Sequence, residues 1–277
     1  MTLAMAGFAA EDMLIKSTAD AVPTGQVLAS IGFAGLLVFA AMTRAAGDRV
    51  WDRRYLSRGM IVRSVFEVGG RLFYTLSFVL VPLTVATAIL QAAPLVVVGG
   101  AALVLGERVE WQRWAAVAAG LAGVLLILRP GAEGFDALAL LAVLGMLGFA
   151  GRDLATRAAA PGLSNRQMGV AGFAMMTLAG LIIWSVEGRA VWPDARGAGL
   201  VAGAVVFAVL AYHALTIAMR TGEVSAVAPW RYTRLVFAGI VGFAVFGERP
   251  DALTILGSAI VVASGIVALV AGRRGRG

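Results

Sequence analysis

The sequence predicts an all-α integral membrane protein with ten transmembrane helices, arranged as two inverted five-helix repeats. Of its 277 residues, 60% are hydrophobic and 14% are charged, and the mean hydropathy is +0.88. That is more apolar surface than a water-soluble domain of this size can hide. Apolar runs of about 20 residues, the length that crosses hydrocarbon as a helix, recur along the chain. The chain is also duplicated: Gly106-Glu107-Arg108 returns as Gly247-Glu248-Arg249, 141 residues on. The same offset joins Gly7-Phe8-Ala9 to Gly148-Phe149-Ala150, Asp12 to Asp153, Gln26 to Gln167, Phe66 to Phe207 and Val104 to Val245. Lys16 meets Arg157, which keeps the charge.

The runs fall at 2–19, 25–43, 61–81, 84–105, 112–129, 136–157, 167–186, 197–219, 223–246 and 252–271. Residues 1–135 form the first repeat and 136–277 the second. The start of the second repeat, near Phe135 and Asp136, has its counterpart ahead of Met1. The first helix is therefore shorter by about a turn and a half, or the start codon is assigned too late.

Orientation follows from the placement of basic residues. With the N-terminus in the cytoplasm, thirteen of the 23 lysines and arginines fall on the inner side, four in outer loops and six within spans. Both termini are then inside. Five spans per repeat is an odd number, so the second repeat enters from the opposite face, and a pathway is expected near the midplane between the halves.

The loops are short. The longest, Arg44 to Arg58, is basic and aromatic, as suits an anchor at anionic headgroups. Trp51, Trp111, Trp114, Trp184 and Trp192 sit at span ends, where amphipathic rings favour the interface. Pro82, Pro94 and Pro229 fall at or within spans and mark sites of kinking. Gly199 and Gly203 permit close helix contact. Spans five and ten carry small residues, Ala115, Ala119 and Gly123, then Gly257, Ser264 and Gly265, and are expected to serve packing or a homodimer.

Ionisable groups at membrane depth are costly, about 2.5–3.5 kcal/mol each on insertion scales, so they face a cavity or a partner. Span three carries Arg63, Glu67 and Arg71 on one helix face, with Tyr74 three residues beyond Arg71. Arg71 corresponds to Tyr212, beside His213, the only histidine, in span eight. Span nine holds Trp230, Arg231, Tyr232 and Arg234 within a turn and a half, and Gln91 lies in span four. Arg71, Tyr74, Gln91, Tyr212, His213, Trp230, Arg231, Tyr232 and Arg234 are the expected substrate-binding residues. Arginines would receive an anion and rings would stack. A fixed internal network of Glu67 with Arg63 or Arg71 is the competing reading. Arg231 and Arg234 have no acid within their own helix, which points to a wet pocket. Asp12, Lys16, Arg63, Glu67, Arg152 and Asp153 are the expected gating or ion-coupling set. Asp12 with Lys16, and Asp153 with Arg157, have the spacing of i,i+4 pairs at opposite faces.

These features resemble the drug/metabolite transporter superfamily, EamA type. The residues that carry the likeness run from Pro82-Leu83-Thr84 through Ala93-Pro94-Leu95 to Gly106-Glu107-Arg108, then Gly120 to Pro130. In the second half they are Ala228-Pro229, Arg231 to Leu235, Gly247 to Asp251 and Gly257 to Gly265. The resemblance implies a secondary carrier of the bacterial inner membrane with both termini cytoplasmic. Family members move amino acids, riboflavin, S-adenosylmethionine and similar metabolites. The expected function is alternating-access transport of a small polar or aromatic metabolite bearing an anionic group, export being the commoner direction. A riboflavin- or S-adenosylmethionine-type uptake or exchange carrier and a lipid-headgroup flippase are the alternatives.

An enzyme is not expected: the chain has no cysteine, one histidine and no Gly-x-Ser-x-Gly elbow. Lys16 is the only lysine and no phosphate-binding loop exists, which excludes an ATP-driven pump. No cofactor, metal or nucleic acid is expected. The net charge of +7 is accounted for by loop placement.

Overall fold

The computed structural model describes residues 1–106, 109–129, 136–158, 162–221 and 228–274. The sequence readings that fall on Glu107, Arg108, Pro130, Phe135 and Arg276 lie outside the described residues, as does the side chain of Arg157. Among the described residues the regular structure is helical, joined by short loops, with no strand. The first half comprises α1 (Thr2–Thr18), α2 (Thr24–Ala45), α3 (Arg58–Leu80), α4 (Leu83–Leu90), α5 (Ala93–Leu105) and α6 (Trp111–Leu128). The second comprises α7 (Leu140–Ala158), α8 (Asn165–Glu187), α9 (Ala195–Thr221), α10 (Thr233–Phe246) and α11 (Ala252–Arg274). Short 3-10 turns at Arg53–Leu56, Ala137–Ala139 and Ala228–Tyr232 precede α3, α7 and α10.

Among the described residues, six stretches are long and apolar enough to cross a membrane: Thr24–Ala45, Leu83–Val104, Trp111–Leu128, Ala137–Thr156, Asn165–Glu187 and Ala195–Ala218. The other helices fall short for local reasons. α3 carries Arg63, Glu67 and Arg71, while α1 has 17 residues and α10 has 14. Large apolar side chains such as Phe33, Leu37, Val65, Leu103, Leu210 and Phe243 point outward. Such a surface is suited to lipid rather than to water.

Span four was expected as one helix over 84–105. It is interrupted instead. α4 ends at Gln91, Ala92 donates to the Ile89 carbonyl in a tight turn, and Pro94 lies in the first turn of α5. Proline cannot continue the hydrogen-bond ladder of a preceding helix, so a new helix begins there. The corresponding point of the second half is Tyr232, where the 3-10 turn gives way to α10. The repeated Gly-Glu-Arg also acquires a local meaning. Gly106 and Gly247 close α5 and α10 in the left-handed conformation, with φ of 68° and 64°, a backbone position that favours glycine.

Glycines set the helix crossings. A Cβ on Gly25 would lie 2.1 Å from the Trp184 nitrogen, and one on Gly180 would lie 2.2 Å from the Ala29 nitrogen. As α2 advances, its contacts on α8 therefore retreat, and the two helices run antiparallel. The same order holds for α3 on α7, where Gly70 meets Gly148 and Tyr74 meets Gly145, and for α1 on α9, where Gly7 meets Ala211 and Leu14 meets Gly203. With little hydrophobic drive between helices in lipid, such close backbone contact supplies the packing.

Two glutamines, equivalent under the 141-residue offset, each clip a loop of the other half. The Gln26 amide donates to the Val191 carbonyl at 2.7 Å and accepts from the Val191 N–H at 3.0 Å. The Gln167 amide donates to the Arg49 carbonyl at 2.9 Å.

The small residues of spans five and ten, expected to serve packing or a homodimer, pack against each other within the chain. Gly123 of α6 packs on the Gly257 carbonyl of α11, and Gly120 packs near Ser264. Gly120, Gly123 and Gly257 are buried, whereas Ala115 and Ala119 are exposed, so the glycine stripe itself is not a free surface. In the 44–58 loop, Arg54 is held by Asp52 and by the Gly162 carbonyl, and hydrogen bonds from Arg54 hold the Asp52 carboxyl down to about 2. Arg44, Arg49, Arg53 and Arg58 are exposed.

Candidate functional site

Two charged groups lie between the halves, joined through one ring. In the first, α7 presents Phe149, Arg152 and Asp153 to α3. Arg152 donates through Nε and Nη2 to Asp153 Oδ1 at 2.9 and 2.8 Å, and through Nη1 to Glu67 Oε1 at 3.3 Å. Arg63 Nη2 stands 2.6 Å from Glu67 Oε2, and Arg63 Nε donates to Thr156. Arg231 Nη1 approaches Asp153 Oδ2 at 4.0 Å, the loosest pair of the network and one whose side chains are 35% and 31% exposed.

The second group forms on α1. Asp12 Oδ2 accepts from Arg234 Nη2 at 2.5 Å and from the Tyr74 hydroxyl at 3.1 Å, and that hydroxyl also lies 3.3 Å from Thr87 Oγ1. Arg71 Nη1 donates to Glu11 Oε1 at 3.4 Å. The Arg234 guanidinium covers the rings of Phe8 and Tyr74 at 5.2 and 5.3 Å. Phe149 joins the two groups, with Arg152 4.9 Å and Arg71 5.9 Å from its ring centre. Guanidinium over an aromatic face is a favourable arrangement in a water-poor setting.

The break between α4 and α5 meets the 3-10 turn that opens α10 beside these charges. The Gln91 side-chain amide, at the α4–α5 interruption, donates to the Arg231 main-chain carbonyl at 3.0 Å. Interrupted helices free backbone groups that a continuous helix would satisfy internally, and in lipid such backbone is tolerated only against protein or a cavity.

Arg71, Tyr74, Gln91, Arg231, Arg234, Asp12, Arg63, Glu67, Arg152 and Asp153 are thus brought together. Three expected binding residues are not. Tyr232 is buried against α11, its hydroxyl crowding Gly265, with no hydrogen-bond partner among the described residues. Tyr212 packs in an aromatic cluster with Phe39 and Phe173 at 5.3 and 5.7 Å and lies close to the charges of Glu67, Arg63 and Arg152. His213 is exposed, and Trp230 is 57% exposed.

The expected pair of Asp12 with Lys16 does not form. Asp12 is taken by Arg234, while Lys16 reaches the Val81 carbonyl at 2.6 Å and Glu248 at 3.3 Å. Asp153 pairs with its neighbour Arg152 and with Arg231. Sequence spacing offers partners on one helix, as for Arg63 and Glu67, whereas Asp12 takes the guanidinium that packing presents from another. Arg231 and Arg234, expected to be unpaired, find their acids on α7 and α1 for the same reason. Reasoning from sequence also missed Phe8 and Phe149 as ring partners, although both stand in the duplicated Gly-Phe-Ala. Glu11 was assigned no place there, and the role of Glu248 was not foreseen.

The fold and this site define a multi-pass helical membrane protein with an ion-paired interior. Residues 1–129, a little under half of the chain, match the EamA-like transporter family. The family is one of membrane transporters of small molecules rather than enzymes. One solved structure, described only as the crystal structure of a protein, aligns over 99% of each chain with a TM-score of 0.63 at 23% identity, a likeness of fold. No curated protein matches the chain.

Proposed function

We propose that this chain is a secondary carrier that moves a small metabolite bearing an anionic group by alternating access, using the network around Arg231 as its binding site. The observation that carries this reading is the meeting of the α4–α5 interruption at Gln91 with the 3-10 turn at Arg231 that opens α10, inside a cluster of buried charge. Transporters with related halves place their sites at such helix breaks.

Charge gives the substrate class. Arg63, Arg71, Arg152, Arg231 and Arg234 face Glu11, Asp12, Glu67 and Asp153, which leaves one positive charge unmatched when every acid is ionised. Arg231 is the guanidinium held most loosely, so a carboxylate or phosphate would bind there at the smallest cost in existing pairs.

The halves are read as inverted repeats of five spans each, 1–135 and 136–277, the second also of EamA type. What supports this is the antiparallel contact of the offset-related helices α2 and α8, together with the exchange of partners between α3–α7 and α1–α9. On this reading both termini face the cytoplasm of a bacterial cell, the protein lies in the inner membrane, and Val81, Glu248 and Asp251 lie at the outer face. Export is the direction we assign.

The test is flux in proteoliposomes, with candidate metabolites chosen by comparing cells that lack and overproduce the protein. Arg231→Ala and Arg71→Ala are expected to abolish flux while the protein still inserts. Unchanged flux in both variants would make those arginines scaffold, and the sidedness of flux decides direction.

A further inference from the structure

We propose that Glu248 is a positioning residue that clamps the two halves together at the end of the bundle where α3, α6 and α10 finish, and that it must release α4 for the site to open at that end. The proposal rests on the carrier reading. Glu248 is the middle residue of the second Gly-Glu-Arg, a motif the binding site does not use. The left-handed Gly247 turns the chain back, and the Glu248 N–H donates to the Gly242 carbonyl at 2.9 Å. Its carboxylate then receives the Leu83 N–H at 2.6 Å, the Thr84 N–H at 3.0 Å and the Thr84 hydroxyl at 2.7 Å.

These are the free donors of the first turn of α4, whose N-cap, Pro82, supplies no side-chain acceptor. The helix dipole favours an anion at that point. Lys16 adds a cation 3.3 Å away, so α1, α4 and the α10–α11 corner converge on one carboxylate. The approach requires glycine at 242, where a Cβ would lie 2.6 Å from Glu248 Oε2.

Two features mark this contact as one that opens. It borders a cavity of about 300 Å³ lined by Val81, Pro82, Thr84, Arg129, Glu248 and Asp251, so polar ligands and water can replace its hydrogen bonds. And α4 is a separate helix of eight residues. Glu248 holds its first turn, while Gln91, at its other end, holds the Arg231 carbonyl. A shift of α4 at the clamp therefore moves the wall of the binding site. Charge-assisted hydrogen bonds suit this use, since they are strong when aligned and lost when water enters.

The chain contains no cysteine, so a single thiol reports access directly. Thr87 is fully buried on α4, between the clamp and the Gln91 interruption. In proteoliposomes, labelling of Thr87→Cys by an impermeant maleimide is measured alone and together with Glu248→Gln. Loss of the charge-assisted bonds is expected to raise the labelling rate roughly tenfold, and Thr84→Val is expected to raise it by less. Asp251→Asn, which removes the neighbouring Arg129 pair, is expected to leave it unchanged. An unaltered rate in both Glu248→Gln and Thr84→Val would overturn the proposal, as would an equal rise with Asp251→Asn. Because the readout is access and not flux, a failure of the binding-site reading registers separately, in the flux of Arg231→Ala.

Discussion

Arg234 and Asp12, 222 residues apart in the chain, meet at 2.5 Å in the interior, and the Tyr74 hydroxyl shares the same carboxylate oxygen at 3.1 Å. Asp12 is 1% exposed. Truncating it strands a guanidinium among apolar helices, a loss of about 3–5 kcal/mol where buried pairs have been broken. Asp12→Ala is therefore expected to lower the unfolding temperature of the detergent-solubilised protein sharply. Asp12→Ala/Arg234→Ala should cost less than the two single substitutions added together. Additive losses in that double-mutant cycle would mean that the two side chains are not coupled.

The two glutamine clips act across the halves, so their removal should be felt in equal measure. Gln26→Ala loses both hydrogen bonds to Val191. Gln167→Ala loses the bond to the Arg49 carbonyl together with its contact to the Ser164 N–H. At a typical hydrogen-bond contribution, each variant should lose about 1–3 kcal/mol. Thermal unfolding of both variants checks this. One clip proving dispensable would count against the pairing of the halves.

The contact between α2 and α8 tests how tightly the interior is packed. Gly25→Ala places a methyl 2.1 Å from a backbone nitrogen that cannot move aside. It should cost about 1–3 kcal/mol or more, as overpacking does, and reduce the folded yield. Gly69, with nothing within 4 Å of its missing Cβ, supplies the contrast. Gly69→Ala should be neutral or stabilise α3 by up to about 1 kcal/mol. Size-exclusion profiles and unfolding temperatures compare the two, and equal behaviour would contradict the α2–α8 packing.

Much of the architecture was legible without coordinates because its signals are local. Apolar runs bounded by charge gave helices near each expected position. The 141-residue offset brought together residues whose packing later matched: Gly7 with Gly148 at helix crossings, Gln26 with Gln167 at loop clips, and Gly106 with Gly247 at left-handed caps. The prolines foretold that some span would bend, but not that α4 would part from α5 at Gln91. Of the candidate site, the arginines and acids were legible because a charge in an apolar run stands out at once.

Which charge meets which was not. Asp12 left Lys16 for Arg234, Lys16 turned to Glu248, and Tyr232 went into packing against α11. Spacing along a helix ranks only the neighbours on that helix. An ion pair between α1 and α10, or a carboxylate seated on the first turn of α4, depends on where whole helices settle. Hydropathy, a property of the chain itself, determined that the chain is helical and apolar and roughly where its helices fall. The close glycine contacts between helices, formed only when the chain folds, decided the partners that buried charges such as Asp12 and Arg234 find on other helices.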